Sequence, residues 1–318
     1  MSVDLRHRAR YYSALVATLR ELEGKFKIDG VSRRAEPMRE HTSFRIGGPA
    51  DLYLAPRSVE EVARITETCA GESLPCFLLG GGTNILVSDK GIRGVVVDLG
   101  RVAGCDVEGT LVSARCGTPI SEVAALARDH GLSGLEFAYS LPGSVGGAVW
   151  MNARCYDRQM SDILESVEFL DRRGAVRLEK IDAKEWSYKI SPFQSGGRVI
   201  LGAGMRLEHG DAQTISAAME AHKADRVKKG HFLHPCAGSV FKNNWDFGAP
   251  TGKIIDSLGL KGKRIGGAQI APFHGNIIIN LDRATAADVL SLILVMEEEV
   301  QKKLGLRLER EVLLVGEW

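Results

Sequence analysis

The sequence has no excess of charge of either sign: 41 Lys and Arg residues stand against 40 Asp and Glu residues, a formal net charge of +1. A balanced chain gives no electrostatic reason to expect a nucleic acid or an anionic membrane surface as a partner. It also lacks the ~18 uninterrupted apolar residues of a transmembrane helix. Its charged first residues do not resemble a signal peptide. We therefore expect a cytoplasmic protein with no membrane, nucleic-acid or obligate protein partner.

Paired cysteines are missing as well. None of the 6 cysteines stands in a CxxC pair, which argues against a metal site and favours reduced thiols. Internal repeats and low-complexity linkers are also absent, and 318 residues suffice for two or three domains. Glycine, in contrast, is abundant, with 36 residues, which predicts many tight turns and close approaches of the backbone.

Helical and strand patterns alternate along the chain, which predicts an α/β (α+β) fold. Residues 10–25 have helical periodicity, with Leu15, Leu19 and Leu22 on one side. Further helices are predicted to begin at Ser58, Thr118-Pro119, Asp211 and Thr285, each of which carries an N-terminal signal. Strand patterns occupy 41–56 (two strands joined at Gly47-Gly48), 74–80, 94–99, 105–117, 163–171, 175–181, 198–208 and 311–316. The change of pattern at Asp211 places a domain boundary near residue 209.

A run of three glycines interrupts the apolar segment LLGGGTNILVSD at residues 78–89. Successive backbone N–H groups in such a turn form a concave nest for anions, above all phosphates, although glycines alone equally suit a turn that binds nothing. Two common phosphate motifs are excluded. GxGxxG fails because Ile85 takes the place of the third glycine, and the P-loop pattern fails because Gly262-Lys263 and Gly252-Lys253 are not followed by Ser or Thr.

A second glycine-rich segment, LEFAYSLPGSVGGAVWMNA, covers residues 135–153. Its Pro-Gly-Ser sequence predicts a turn, and the following Gly-Gly pair allows another backbone to lie close. Close packing of helices or strands would explain the same residues. Two such turns could also grip the two ends of one long ligand, such as a dinucleotide.

Six segments occur in order between residues 41 and 312: HTSFRIGGPAD, LLGGGTNILVSD, LEFAYSLPGSVGGAVWMNA, CAGSVFKN, IIDSLGLKGKRIGGAQIAPFHGNIIIN and LEREV. These six segments resemble those of the UDP-N-acetylenolpyruvoylglucosamine reductase (MurB) family, and the resemblance covers nearly the whole chain beyond residue 38. The resemblance implies an N-terminal helical segment (1–38) and a vanillyl-alcohol-oxidase (PCMH-type) FAD-binding domain (39–208) with subdomains of about 39–104 and 105–208. A C-terminal α/β substrate-binding domain (209–318) follows. The short stretch before CAGS is similar to the shorter, second type of the family.

The resemblance also implies an activity. Members of the family use NADPH and noncovalent FAD to reduce UDP-N-acetylglucosamine enolpyruvate (UDP-GlcNAc-enolpyruvate) to UDP-N-acetylmuramate in peptidoglycan precursor synthesis, without a metal. In them the GGGTN turn lies against the FAD pyrophosphate, and LPGSVGGAVWMN approaches the flavin. The cofactor-binding residues implied for this chain are Gly80, Gly81, Gly82, Thr83, Asn84, Pro142, Gly143, Ser144, Gly146, Gly147 and Asn152.

Three positions match the catalytic residues of the family. Ser239 matches the proton donor and Glu311 the catalytic glutamate, with Glu309 expected on the same strand face. Lys189 stands where the family has an arginine, so a flexible point charge replaces a planar fork that can bond a carboxylate twice. Outside the resemblance these would be a turn serine, a strand-end carboxylate and a surface lysine. Substrate-binding positions implied in the same way are Tyr188, Arg226, Lys229 and Asn243.

Two other functions compete with this interpretation. One is an FAD-dependent oxidase of the same superfold that acts on an alcohol or a sugar. The other is a non-catalytic nucleotide-binding relative, which the lysine at position 189 makes conceivable. The segments CAGSVFKN and LEREV favour the reductase.

Overall fold

The computed structural model describes Leu19, Glu21 and residues 24–318. Leu19 is helical and buried, whereas the predicted helical positions Leu15 and Leu22 lie outside the described residues. Residues 31–37, which the sequence analysis assigned to a helical segment, form strand β1 (Val31–Pro37) instead. Residues 32–35 are exposed, so this edge strand carries no apolar alternation that would reveal it.

The first sheet has the order β1-β2-β5-β3, with β2 (Pro49–Ala55), β5 (Ile92–Asp98) and β3 (Cys76–Leu79). β1 pairs antiparallel with β2, and the other two pairs are parallel. Helix α1 (Val59–Gly71) connects β2 to β3 and begins at Ser58, whose hydroxyl accepts a hydrogen bond from the backbone of Glu61, as predicted.

The strand predicted for the first half of residues 41–56 is wrong. The hydroxyl of Thr42 donates to the carbonyl of Ile46 at 2.9 Å, which closes a local turn. A Cβ on Gly48 would lie 2.1 Å from the carbonyl oxygen of Asp89, so this loop is pressed against another backbone. Phe44 and Ile46 are buried, and their burial imitates the alternation of a strand.

The second sheet is antiparallel, with the order β12-β11-β13-β7-β6. Its strands are β6 (Cys105–Glu108), β7 (Leu111–Arg115), β11 (Leu164–Leu170), β12 (Val176–Lys180) and β13 (Val199–Arg206). The two-residue strands beside it are β8 (Leu132–Ser133), β9 (Arg154–Cys155), β10 (Arg158–Gln159) and β14 (Glu208–His209). The accompanying helices are α2 (Ile120–Asp129), α3 (Val145–Trp150) and α4 (Ala212–Lys228).

Helix α4 contributes its apolar side chains to the core of the second sheet. Ile215 and Met219 are buried there, together with residues of α2 and β13. The helix begins after Asp211, as predicted, and the side chain of Asp211 accepts from the backbone of Thr214. The boundary near residue 209 stays a prediction.

The last third builds a four-stranded antiparallel sheet in the order β15-β18-β17-β16. Its strands are β15 (Cys236–Ser239), β16 (Arg264–Ile265), β17 (Ala268–Ile270) and β18 (Ile277–Asn280). Helices α5 (Thr251–Ser257) and α6 (Ala286–Leu304) accompany it. The predicted cap of α6 is confirmed, since Thr285 and Asp288 form a capping box. None of the helices in the described part of the chain has the length and apolar character of a membrane span.

The chain finally returns to its first part. Strand β19 (Leu313–Val315) pairs in parallel with β4 (Ile85–Val87), which directly follows the glycine run. Asp89, just beyond β4, accepts hydrogen bonds from the backbone N–H groups of Ala286 and Ala287 at 2.8 and 3.0 Å, at the start of α6. These contacts connect the glycine turn to the C-terminal segment.

Candidate active site

The turn between β3 and β4 carries the glycine run, Gly80 to Asn84. Among the described residues, none of its backbone N–H groups donates a hydrogen bond to the protein. Gly82 has φ +61°, which places it in the left-handed region that glycine favours. Adjacent backbone N–H groups without protein partners can bind an anion. The turn therefore fits the pyrophosphate of a dinucleotide such as FAD.

The second glycine-rich turn lies directly against the first. A Cβ on Gly81 would come within 2.6 Å of the Cα of Gly143, and one on Gly80 within 2.8 Å of the Oγ of Ser144. The hydroxyl of Thr83 donates to the carbonyl of Pro142 at 3.4 Å. The expectation that the two turns grip opposite ends of a ligand is therefore wrong, because they form one continuous surface.

Gly146 and Asn152, which the resemblance also assigns to the cofactor, make contacts within the protein. A Cβ on Gly146 would lie 3.0 Å from the Cβ of Cys116, so this glycine permits α3 to pack beside the second sheet. Asn152 is fully buried. Its amide donates to the carbonyl of Ser187 at 2.9 Å and accepts from the backbone of Ser161 at 3.0 Å. The side chain of Asn152 thus holds the residue that precedes Tyr188.

Lys189 and Glu311 form a buried ion pair. The Nζ of Lys189 lies 2.7 Å from the Oε1 of Glu311, and each side chain is only 12% exposed. Lys189 has φ +60°, an unusual conformation for lysine, and the amide of Gln194 donates to its carbonyl at 2.9 Å. Lys189 is therefore not a solvated surface lysine, and removal of either partner would leave a poorly solvated charge.

A backbone hydrogen bond connects the segment of Ser239 to this pair. The N–H of Glu311 donates to the carbonyl of Val240, the residue after Ser239, at 2.8 Å. Ser239 is half-buried, and within the described part of the chain its hydroxyl makes no hydrogen bond. Gly238 has φ +71°, and a Cβ built on it would meet no atom within 4 Å. The hydroxyl is thus free for a ligand beside an open space.

The expected relation between Glu309 and Glu311 is wrong. Strand β19 begins only at Leu313, so neither glutamate lies on it. The side chain of Glu309 is 73% exposed and pairs with Lys242 at 2.7 Å, whereas that of Glu311 is only 12% exposed and pairs with Lys189. The two carboxylates therefore have different surroundings.

Tyr188 belongs to an aromatic cluster. The backbone N–H of Asn243 donates to its hydroxyl at 3.3 Å, and the side chain of Asn243 accepts from Thr251 at 3.0 Å. The ring of Trp245 lies edge-on at 4.7 Å from that of Tyr188, and the Arg154 guanidinium lies 5.2 Å from the centre of the Trp245 ring. Sequence reasoning missed Arg154 and Trp245, although the tryptophan after FKN offered a signal.

Arg226 and Lys229 differ in their surroundings. Arg226 is 9% exposed, its guanidinium lies over the ring of Phe232 at 5.4 Å, and its Nε has no hydrogen-bond partner among the described residues. Burial, followed by the charge of Arg226, lowers the pKa of His231 to about 4. The ammonium of Lys229 is exposed and paired with Asp225 at 2.7 Å. Of the two cations, only Arg226 has a free, buried donor for an anion.

The fold and site together define the class of FAD-dependent oxidoreductases with a separate C-terminal domain. Residues 50–178 match the family model of an FAD binding domain, and residues 229–315 match that of the UDP-N-acetylenolpyruvoylglucosamine reductase C-terminal domain. The predicted fold class is confirmed.

Relatives named UDP-N-acetylenolpyruvoylglucosamine reductase are similar over most of their length. That of Treponema denticola is 40% identical over 91% of this chain and 95% of its own, and that of Borreliella burgdorferi is 38% identical over 93% and 99%. The crystal structure of the Thermus caldophilus reductase is similar with a TM-score of 0.76 and 32% identity, over 91% of this chain and 99% of that one. The chain belongs to the UDP-N-acetylenolpyruvoylglucosamine reductase family.

We predict that Gly81→Ala purifies folded but poor in FAD. The new Cβ would press on the backbone of Gly143 and separate the two turns, so FAD affinity should fall roughly tenfold or more. Flavin absorbance per protein and far-UV circular dichroism measure the two properties. Gly71→Ala is the control, because a Cβ there meets nothing within 4 Å. Stoichiometric FAD in Gly81→Ala would contradict the assignment.

Proposed function

We propose that this chain is the NADPH-dependent flavoenzyme that reduces UDP-GlcNAc-enolpyruvate to UDP-N-acetylmuramate for peptidoglycan precursor synthesis. Family membership supports the reaction class. The observation that carries the proposal is the buried pair of Lys189 and Glu311 beside the free hydroxyl of Ser239. A cytoplasmic location follows from the proposed nucleotide-sugar substrate.

The reaction makes two demands on the protein. Hydride addition to the enol-ether double bond places negative charge on the carbon beside the carboxylate, and that carbon must then receive a proton. A cation or hydrogen-bond donor must face the carboxylate, and a proton donor must face the carbon. Bound FAD supplies the hydride transfer between NADPH and substrate, and the backbone N–H groups of Gly80 to Asn84 together with Pro142 to Ser144 would hold it.

The remaining tasks fall to side chains of the site. The ammonium of Lys189 stabilises the charge that reaches the substrate carboxylate, and Glu311 holds that ammonium in place at 2.7 Å. The free hydroxyl of Ser239 delivers the proton. Arg226, with its unpartnered Nε, and Tyr188 bind the diphosphate. Lys229 and Asn243 contribute less to substrate binding, because the side chains of both already have protein partners.

The direct test is an absorbance titration of the purified protein without oxygen. NADPH should bleach the flavin band, and UDP-GlcNAc-enolpyruvate should then restore it and yield one UDP-N-acetylmuramate for each NADPH consumed. A flavin that recovers only with oxygen and an alcohol or sugar would identify an oxidase instead. Failure of NADPH to reduce the flavin, with no product formed, would identify a non-catalytic relative.

We predict that Ser239→Ala separates the two half-reactions. Reduction of the flavin by NADPH needs no acid at this position and should remain nearly intact. Reoxidation by UDP-GlcNAc-enolpyruvate should slow by the ~10²–10⁴-fold typical of a lost general acid. Ser239→Cys should recover part of the rate, because a thiol also donates a proton. Stopped-flow absorbance resolves both steps, and equal slowing of both would refute the role of Ser239.

We also predict opposite effects for two replacements of Lys189. Lys189→Ala should slow reoxidation far more than reduction, by roughly 10²-fold or more, because both the carboxylate and Glu311 lose their cation. Lys189→Arg should preserve or raise turnover, since it supplies two parallel donors. Lys184→Ala, at an exposed lysine in the preceding turn, is the control. Unchanged half-reactions in Lys189→Ala would remove Lys189 from the site.

A further inference from the structure

The side chain of Asn84 reaches from the glycine turn to the backbone of Glu311. Its Nδ2 donates to the carbonyl oxygen of Glu311 at 3.0 Å and contacts the sulfur of Met151 at 3.6 Å. These contacts use the side-chain N–H donors of Asn84 within the protein. The turn residue that the family resemblance assigns to the cofactor therefore points its donors towards the proton-transfer site.

The backbone of Asn84 strengthens the same connection. Its carbonyl accepts from the N–H of Leu313 at 3.0 Å, and this contact begins the parallel pairing of β4 with β19. Asn84 therefore bonds to the chain on both sides of Val312. The carbonyl of Val240 accepts from the N–H groups of Glu311 and Val312 on the opposite side, at 2.8 and 3.2 Å.

The residue before Glu311 is anchored separately. The guanidinium of Arg310 donates to both carboxylate oxygens of Glu297 on α6, with the Nη2 bond at 2.7 Å. This anchor fixes the entry to Glu311 but does not touch the carbonyl that Asn84 holds. The peptide group that follows Glu311 is held by Asn84 at its carbonyl and by Val240 at its N–H, so the direction of the Glu311 side chain towards Lys189 depends on both contacts.

We propose that Asn84 is a positioning residue for the proposed reaction: through the carbonyl of Glu311 it aims the glutamate at Lys189 and so connects the cofactor turn to the proton-transfer site. The inference rests on the proposed function, because it assigns Asn84 to the reoxidation step. One neutral hydrogen bond contributes little to stability. A displacement of about 1 Å in a reacting group, in contrast, can cost about 10²-fold in rate.

The test uses Asn84→Leu, which keeps the side-chain shape but removes the donors, with Asn84→Ala as a second variant in case leucine disturbs folding. The turn would hold FAD through its backbone N–H groups, which leucine retains, so FAD content and flavin reduction by NADPH should stay within about threefold of the wild type. Reoxidation by UDP-GlcNAc-enolpyruvate should slow by roughly 10–10²-fold. In a Glu311→Ala background, Asn84→Leu should add less than about twofold, because coupled residues are not additive.

A second measurement does not depend on turnover. Amide hydrogen exchange of residues 308–316, followed by mass spectrometry on the FAD-loaded protein, should be faster in Asn84→Leu than in the wild type. Asn280→Leu is the matched control, because the amide of Asn280 also donates to a distant carbonyl, that of Phe44, at 3.0 Å. It should lower thermal stability without a selective effect on reoxidation or on exchange in 308–316.

The outcomes separate this inference from the proposed function. Loss of FAD in both Asn84 variants would make Asn84 a cofactor residue and overturn the inference. Equal slowing with and without Glu311, or unchanged exchange in 308–316, would also overturn it. A wild-type flavin that UDP-GlcNAc-enolpyruvate cannot reoxidise would refute the proposed function, and the exchange measurement would then decide alone whether Asn84 positions Glu311.

Discussion

The ion pair of Lys189 and Glu311 is the contact on which the arrangement of the site depends. It joins a loop of the second sheet to the segment before the last strand, and both side chains are 12% exposed. Removing two charges from water is costly unless each is well paired, so a movement of either loop alone would leave a poorly solvated charge without its partner. The surrounding hydrogen bonds are best understood as means to hold the pair together.

Both sides of the pair are secured by other elements. Asn152, fully buried, holds Ser187, and the hydroxyl of Ser191 donates to the carbonyl of Trp150 at 2.7 Å. Between these anchors Lys189 adopts its left-handed backbone conformation, a strain that persists only where the surroundings impose it. On the other side, β4 follows the glycine turn and pairs with β19, which begins two residues after Glu311, so the turn and Glu311 lie at the same end of one backbone ladder.

Local patterns predicted the elements whose signals are local. The caps at Ser58 and Thr285 and the three strands of 163–208 required only neighbouring residues, and the structure contains them. Strand β1 was not predicted, because its middle residues are exposed. A strand was wrongly predicted at 41–48, because the buried side chains of this loop alternate along the sequence. The contact of Gly81 with Gly143 joins segments that are distant in the sequence, and sequence periodicity does not predict such a contact.

Ser239, Glu311 and Lys189 were predicted from the family resemblance, and only the structure shows their proximity.

The pair also gives a physical reason why a lysine can serve at position 189, where the family resemblance implies an arginine. A guanidinium has a planar fork that fixes its own direction on a carboxylate, whereas an ammonium on a flexible stem has no preferred direction. Glu311 supplies that direction here, because it holds the Nζ of Lys189 at 2.7 Å. The two remaining N–H donors of the ammonium can then face a ligand. With lysine in this position, the placement of the glutamate decides the placement of the cation, so residues that hold Glu311 matter more in this chain than they would beside an arginine.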